Sequence, residues 1–341
     1  MSQIHPDGWR KVADTALEYS IVGSFTKLGL QARRGMFGWE SESTPDLAGR
    51  EILITGATSG LGLAAAHQLA AMGARVVLVG RNPSKTAAAT EAVRQSSPSH
   101  EASFLTADMA EPGQVTQLIT DVIEHHSDLD TVIQNAGALS AEYTMNSQGM
   151  EMTVASQVLG QFQLTAGLLP LLRKRASARV ITVSSGGMYS EPLSLRRLVM
   201  QPGDYDGTVA YARAKRAQVA LNIAWAQHEV NSHIDFLAMH PGWADTPGVV
   251  TSLPTFHKVM GPLLRTPEQG ADTITWLAAS PTPQGMSGQF WHDRAPRGTA
   301  YLPKTKMAPA QIDELWDWCE AQVAEAVSEA AAAGEVSGAK A

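Results

Sequence analysis

The sequence predicts a doubly wound α/β fold with a parallel sheet of about seven strands. Three observations carry this. Short, wholly apolar runs recur along the chain, bounded by glycine or polar turns. Helical segments separate them. The first run leads straight into a glycine-rich turn and then a helix. Strands that are apolar on both faces need cover on both faces, and intervening helices supply it in a parallel sheet.

The strands are read at 51–55 (EILIT), 75–80 (RVVLVG), 102–107 (ASFLTA), 131–135 (TVIQN), 178–185 (ARVITVSS) and 233–240 (HIDFLAMH), with a seventh at 287–292 (SGQFWH). Helices are read at 61–73, stopped by Gly73, at 83–95, opened by Pro83, and at 111–126. A long segment ending near Arg175 and residues 208–228 give two more. This body spans 49–303, with a flap at 247–265 rich in Val, Leu, Phe and Met between prolines. Residues 1–48 read as a helical extension. Leu17, Ile21, Phe25 and Leu28 recur there at three- and four-residue steps, an apolar stripe. Residues 304–341 read as a C-terminal helix and tail. The helix, 308–335, sets Ile312, Leu315, Trp316 and Val323 against the body, and 336–341 are expected to be disordered.

Composition narrows the function. The formal net charge of −7 argues against a nucleic-acid partner, which needs a basic face. With 44% apolar and 17% charged residues, the chain suits a soluble globular protein. Cys319 is the single cysteine, so no disulfide can form within the chain, which fits a reducing, cytoplasmic setting. The first twenty residues lack a signal peptide's apolar run, and no stretch of 18 uncharged apolar residues is present. His125-His126 and His292-Asp293 have no convergent partners in sequence, and no metal site is expected. "VSSGG" is not the strained elbow of a serine hydrolase.

The turn "TGATSGLG" (55–62) carries glycines at 56, 60 and 62 between a strand and a helix. Such a turn lets backbone approach a phosphate, and the helix N-terminus adds N–H donors. The second strand ends at Gly80 and Arg81 follows. No Asp or Glu lies between Gly73 and Thr90. An acid at this strand end would bind the ribose 2′-hydroxyl of NAD, whereas arginine suits the 2′-phosphate of NADP. NADP(H) is therefore preferred over NAD(H), with Ser59 and Asn82 as further donors. Tyr211 and Lys215 in "YARAK" lie one helical turn apart and share a face.

The motifs T-G-x-x-x-G-x-G, "QNAG" (134–137), "VSS" (183–185), "YARAK" and "HPGWADT" (240–246), in this order, resemble the short-chain dehydrogenase/reductase family, over roughly residues 50–300. Their glycine spacing resembles the compact branch. "RVITVSSGGM", "HPGWADTPGV" and "DRAP…LP" are similar to the orphan subgroup named after family member twelve, which also carries an N-terminal extension.

The resemblance implies roles. Thr55, Gly56, Thr58, Ser59, Gly60, Leu61 and Gly62 hold the cofactor phosphates. Asp108, followed by Met109, meets the adenine; its competing reading is a helix N-cap. Asn135, Ala136 and Gly137 line the adenine ribose, with Gln134 where the family has Asn. Ser185 bonds the substrate oxygen, and Ser184 faces the other side of the strand. Tyr211 is the general acid/base. Lys215 holds the nicotinamide ribose and, as an ammonium beside an oxidised nicotinamide, lowers the phenol's pKa. Pro241, Gly242, Trp243 and Thr246 embrace the nicotinamide carboxamide. Gln157 stands where the family has a relay asparagine, one methylene too long.

The chain is thus read as an NADP(H)-dependent oxidoreductase acting on an apolar carbonyl or alcohol. Trp243, Leu253, Phe256 and Met260 line the pocket with Met188 and Tyr189, or else merely pack the flap. The 25 residues between Ser185 and Tyr211 form part of the rim. The alternative is a catalytically impaired NADP(H)-binding sensor or scaffold, which Gln157 permits. The stripe in 16–39 has three open readings: packing on the body, a dimer contact in a homo-oligomer, or a membrane-surface anchor using Lys27, Arg33 and Arg34 beside Phe25, Phe37 and Trp39.

Overall fold

The computed structural model describes residues 8–338; the expectations for 1–7 and 339–341 lie outside them. Three helices come first, α1 (Gly8–Tyr19), α2 (Val22–Phe25) and α3 (Lys27–Phe37). Strands and helices then alternate. β1 (Glu51–Thr55) leads to α4 (Gly60–Ala71), β2 (Arg75–Gly80) to α5 (Pro83–Ser96), and β3 (Ala102–Thr106) to α6 (Pro112–His125). After β4 (Leu129–Gln134) comes a compound helix: α7 (Met152–Val154), a π-helical turn (Ala155–Leu159) and α8 (Gly160–Leu172). β5 (Ala178–Val183) is followed by the short α9 (Leu195–Leu198) and the long α10 (Gly207–His228). β6 (Ile234–Met239) precedes the two flap helices α11 (Pro247–Ser252) and α12 (Pro254–Met260), then α13 (Pro267–Ala279). β7 (Phe290–His292), β8 (Ala295–Arg297) and α14 (Pro309–Gly338) complete the chain.

The sheet order is β3-β2-β1-β4-β5-β6-β7-β8, and neighbours from β3 through β7 pair in parallel. The winding reverses between β1 and β4, which opens a crevice at their carboxyl ends. β1, β4, β5 and β6 are buried along their whole length, as their apolar sequences predict. Helices α4, α5 and α13 cover one face through Leu69, Val93 and Ile274. Helices α6, α8, α10 and α14 cover the other through Leu118, Leu168, Trp225 and Leu315. The seven expected strands are present, and β8 is an eighth. It returns antiparallel from β7 through Asp293 and Arg294, both at positive φ. Three residues long and containing Pro296, it offers no alternation to read.

Two expectations at the termini need correction. Residues 336–338 continue α14. The N-terminal stripe fails because the chain turns between α1 and α2, so the helical period does not run through. Phe25 is buried, but Ile21 and Leu28 are exposed. The inner face of the arm is polar instead. Fully buried Arg33 pairs with Asp14, Glu18 and Asp293, each at 2.7 Å. Asp293 also takes Arg265 at 2.6 and 2.9 Å. Arg297 pairs with Asp14 at 2.6 Å. Trp39 is buried beneath the Arg294 guanidinium. Phe25, Arg33 and Trp39, read as anchor residues, are therefore bound to the body.

Burial alone would raise the carboxyl pKa values of Asp14, Glu18 and Asp293; the arginines and, for Glu18 and Asp293, His292 outweigh it and hold all three below the usual carboxylate range. His292 is pushed down to about 4 and His240 well below its ordinary value, both mainly by burial. His292 does have convergent partners, Glu18 and His240. Arg265 Nη2 stands 3.3 Å from His292 Nε2, and Glu18 already neutralises Arg33, so the electrostatics oppose a further cation. Replacing Arg33 by Ala takes one of three cations from three buried carboxylates, Asp14, Glu18 and Asp293. Urea unfolding of the Arg33→Ala variant should show a loss of about 3–5 kcal/mol.

Candidate active site

The crevice begins where β1 ends. Gly56 and Gly60 take φ of 66° and 56°, a left-handed backbone that favours glycine. A Cβ on Gly56 would lie 2.8 Å from Ala136 Cα, and one on Gly62 would lie 2.5 Å from Asn135 Nδ2. Asn135 explains this closeness. Its side-chain amide donates to the carbonyls of Thr55 and Gly56 at 3.1 and 3.0 Å. The Thr55 hydroxyl accepts from the backbone N–H of Asn135 and Ala136 at 3.1 and 3.0 Å. The loop after β4 thereby clamps the glycine turn. Exposed Ser59 stands at the N-cap of α4 without a side-chain capping bond. Thr58 crosses β2, its methyl 2.6 Å from where a Gly80 Cβ would be. Leu61 is half-buried behind the turn. This concave, glycine-lined backbone at a helix N-terminus fits a dinucleotide pyrophosphate.

Exposed Arg81 follows β2, its Nη1 3.5 Å from Asp108 Oδ2. Asn82 caps α5, its Oδ1 accepting from Lys85 N at 2.9 Å, so only its amide NH2 is left to donate. Asp108 is not an N-cap: α6 has Glu111 in that position, and Asp108 Oδ1 instead accepts from Ala110 N at 3.0 Å. The Met109 side chain is in the core, and its carbonyl packs against Gly160 at the start of α8.

Lys215 and Tyr211 project from α10 at the carboxyl end of β5. Lys215 Nζ is buried, donates to Val183 O at 3.0 Å, and stands 5.2 Å from the Tyr211 ring centroid. Ser185 lies at the same strand end, its Oγ accepting from Gly187 N at 3.1 Å. Ser184 points to the other side, donating to Lys215 O at 2.9 Å. Burial raises the Tyr211 phenol pKa, with Ser185 opposing in part. Burial pushes Lys215 down to about 7. Both shifts come mainly from desolvation; the expected ammonium–phenolate pairing also involves an oxidised nicotinamide.

Gln157 is buried in the π-helical turn. Its Nε2 donates to Ala138 O at 2.8 Å, while its Oε1 is buried with no partner among the described residues. A Cβ on Gly137 would lie 2.8 Å from Gln157 Oε1 and 3.1 Å from Lys215 Nζ. The glycine therefore separates the orphaned acceptor from the amine, and a methyl group there would wedge them.

The loop after β6 completes the constellation, and the arm supports it. Gly242, at φ 73°, admits no side chain: a Cβ would meet Arg265 Cζ at 2.5 Å and Phe25 O at 2.7 Å. Trp243 N donates to Phe25 O at 2.7 Å. Arg265 donates to Pro241 O at 3.0 Å and to Ser24 O at 2.8 Å. The Phe25 ring fills the space beside Gly186, where a Cβ would lie 2.5 Å away. Sequence reasoning missed this role of Phe25, Arg265 and Asp293; no local pattern links residues so far apart. Thr246 caps α11 and reaches the glycine turn, 3.4 Å from a Cβ on Gly60. Trp243 packs edge-on against Phe256 of α12, and Leu253 and Met260 are half-buried. Met188 and Tyr189 do not line the pocket. They are buried against Phe25 and Phe290, and Tyr189 donates to Gly298 O at 2.8 Å. The insertion after Ser185 thus sends part of its length into the core.

A model of the short chain dehydrogenase family matches residues 50–255. Dehydrogenase/reductase SDR family member 12 of Homo sapiens is 38% identical over 272 residues, covering 79% of this chain and 84% of that protein. Retinol dehydrogenase 14 of Mus musculus is 30% identical, covering 81% and 86%. A crystal structure of 3-oxoacyl (acyl-carrier-protein) reductase from Agrobacterium tumefaciens, with NADP bound, superposes with a TM-score of 0.59 at 25% identity, covering 72% of this chain and 92% of that one.

The buried amine makes a stability prediction. Lys215 binds its proton less tightly folded than unfolded, where its pKa is about 10.4. Its destabilisation is therefore complete below about pH 7 and is relieved as pH rises towards 10. Lys215→Met should raise the melting temperature by several degrees at pH 6, and the gain should shrink steadily in melts up to pH 10.

Proposed function

The chain belongs to the short-chain dehydrogenase/reductase family, and from that membership we propose an NADP(H)-dependent oxidoreductase acting on an apolar carbonyl or alcohol, with Tyr211 as general acid/base. The observation that carries the reading is Tyr211 and Lys215 beside Ser185 at the carboxyl end of β5. Gly56, Gly60 and Gly62 would take the pyrophosphate, with Thr55, Thr58, Ser59 and Leu61 around it. Asn135, Ala136 and Gly137 would border the ribose, and Pro241, Gly242, Trp243 and Thr246 the nicotinamide end. The nicotinamide, when bound, supplies a hydride to a carbonyl carbon or takes one from a carbinol.

Negative charge then gathers on the substrate oxygen. Tyr211 gives that oxygen its proton, and Ser185 donates a hydrogen bond to it. In oxidation Tyr211 takes the proton back. Gln157 Oε1 is a buried acceptor with no donor, near the amine, a costly state unless a polar partner meets it. It suits a water that returns protons to Lys215.

The preference for NADP(H) rests on Arg81 and the lack of an acid between Gly73 and Thr90. Its exposed pair with Asp108 is weak and leaves the guanidinium free to turn to a phosphate. The bound NADP of the reductase structure supports the same choice. An apolar substrate is supported by Trp243, Leu253 and Phe256 of the flap, and by one relative's name, which specifies retinol.

Tyr211→Phe should lower NADPH-dependent reduction of apolar ketones and aldehydes by about 10²–10⁴-fold. NADPH binding, followed by its fluorescence, should survive. Undiminished turnover would assign the proton to another group; a native chain that binds NADPH yet reduces no compound of the panel would support the sensor reading. Arg81→Ala should weaken NADPH about tenfold and leave NADH binding unchanged.

A further inference from the structure

Helix α1 is amphipathic the wrong way round for a helix lying between a protein and water. Its inner face buries the carboxylates Asp14 and Glu18. Its outer face presents Trp9, Val12, Ala16 and Tyr19 at three- and four-residue steps. Trp9 is 62% exposed, and Val12 and Tyr19 are each 70% exposed. The chain then adds Ile21, Val22 and Leu28, also exposed. Surface helices normally turn such residues inward, and a contiguous exposed apolar patch marks a binding surface.

We infer that this outer face of α1 and α2 docks on an anionic lipid surface. Charge selects the occupant. Between residues 8 and 39 the acids are Asp14 and Glu18, and both are buried against arginines. Exposed Lys11 and half-buried Lys27 flank the patch. The arm therefore shows a basic, apolar exterior on a chain whose net charge is −7. A second copy related by a two-fold axis would bring the same face against itself, and that face offers no exposed acid to meet these lysines. A bilayer with anionic headgroups meets both features, and Trp and Tyr suit its interface. No helix among the described residues is long and apolar enough to cross a membrane, so the arm lies on the surface. The ion pairs of Arg33 fix the arm to the body, and Phe25 O fixes it to Trp243 beside the flap. Docking through the arm would hold the whole body, flap included, against the bilayer.

The test needs no turnover and is independent of the assignment of Tyr211. The full chain is centrifuged with sucrose-loaded vesicles of phosphatidylcholine alone or mixed with phosphatidylserine. It should sediment with the mixed vesicles, and added salt should weaken this. Trp9→Ser with Val12→Ser should lower vesicle affinity about tenfold or more. Lys11→Glu with Lys27→Glu should erase the preference for phosphatidylserine. Trp9, Val12 and Lys11 are exposed and Lys27 is half-buried, and an unchanged melting temperature verifies the fold. Protein left in the supernatant with both vesicle types would overturn the inference, as would wild-type binding by the Trp9/Val12 variant. A dimer in solution that Trp9→Ser with Val12→Ser splits, without vesicle binding, would reassign the face to a second copy.

Discussion

Asp293 ties the two ends of the chain together. Its buried carboxylate takes Arg33 from the arm at 2.7 Å and Arg265 from the end of the flap at 2.6 Å. Around it the charges balance. Arg33, Arg265 and Arg297 face Asp14, Glu18 and Asp293, three cations to three anions. His240 and His292 add no charge near neutrality, since burial depresses both. Such a network gains little over an apolar core, because desolvation consumes most of the attraction. Its consequence is geometric. Ions without water accept few arrangements, so the arm can sit on the body in essentially one way. Asp293 itself stands at positive φ, a strained setting that its three bonds to the two arginines sustain.

That single arrangement reaches the candidate site in two steps. Arg265 holds Pro241 O and crowds Gly242, which sets the turn after β6. Phe25 then takes Trp243 N on its carbonyl and presses its ring against Gly186, next to Ser185. The arm thus props two loops that border the site. Here the loop after β6 borrows its rigidity from residues that precede the sheet.

Legibility followed locality. The central strands β1, β4, β5 and β6 were readable because both faces of each are buried, so every residue reports the same environment. The glycine turn was readable because backbone approach leaves glycine as the residue that fits. Tyr211 and Lys215 were readable because one helical turn brings them together. The arm was not. Periodicity assumes one continuous helix with apolar residues inward, and this segment breaks after Tyr19 and turns its carboxylates inward. Read singly, Asp14, Glu18 and Arg33 look like solvated charges. Met188 and Tyr189 were misplaced for a related reason: Phe25 and Tyr301, which bury them, lie far away in sequence. At Gln157 the residue was singled out, but the π-helical turn that carries it has no signature in composition.

Desolvation also decides which way the proton is poised. Tyr211 is half-buried and desolvation raises its pKa, so the phenol keeps its proton throughout the neutral range. Lys215, pushed down to about 7 by the same burial, is divided between ammonium and amine there. A phenol that holds its proton is prepared to give one to an oxygen gaining negative charge; it is unprepared to take one. Gln157 Oε1 stands beside the amine that would need that proton replaced, and Gly137, with no side chain, keeps the space between them open.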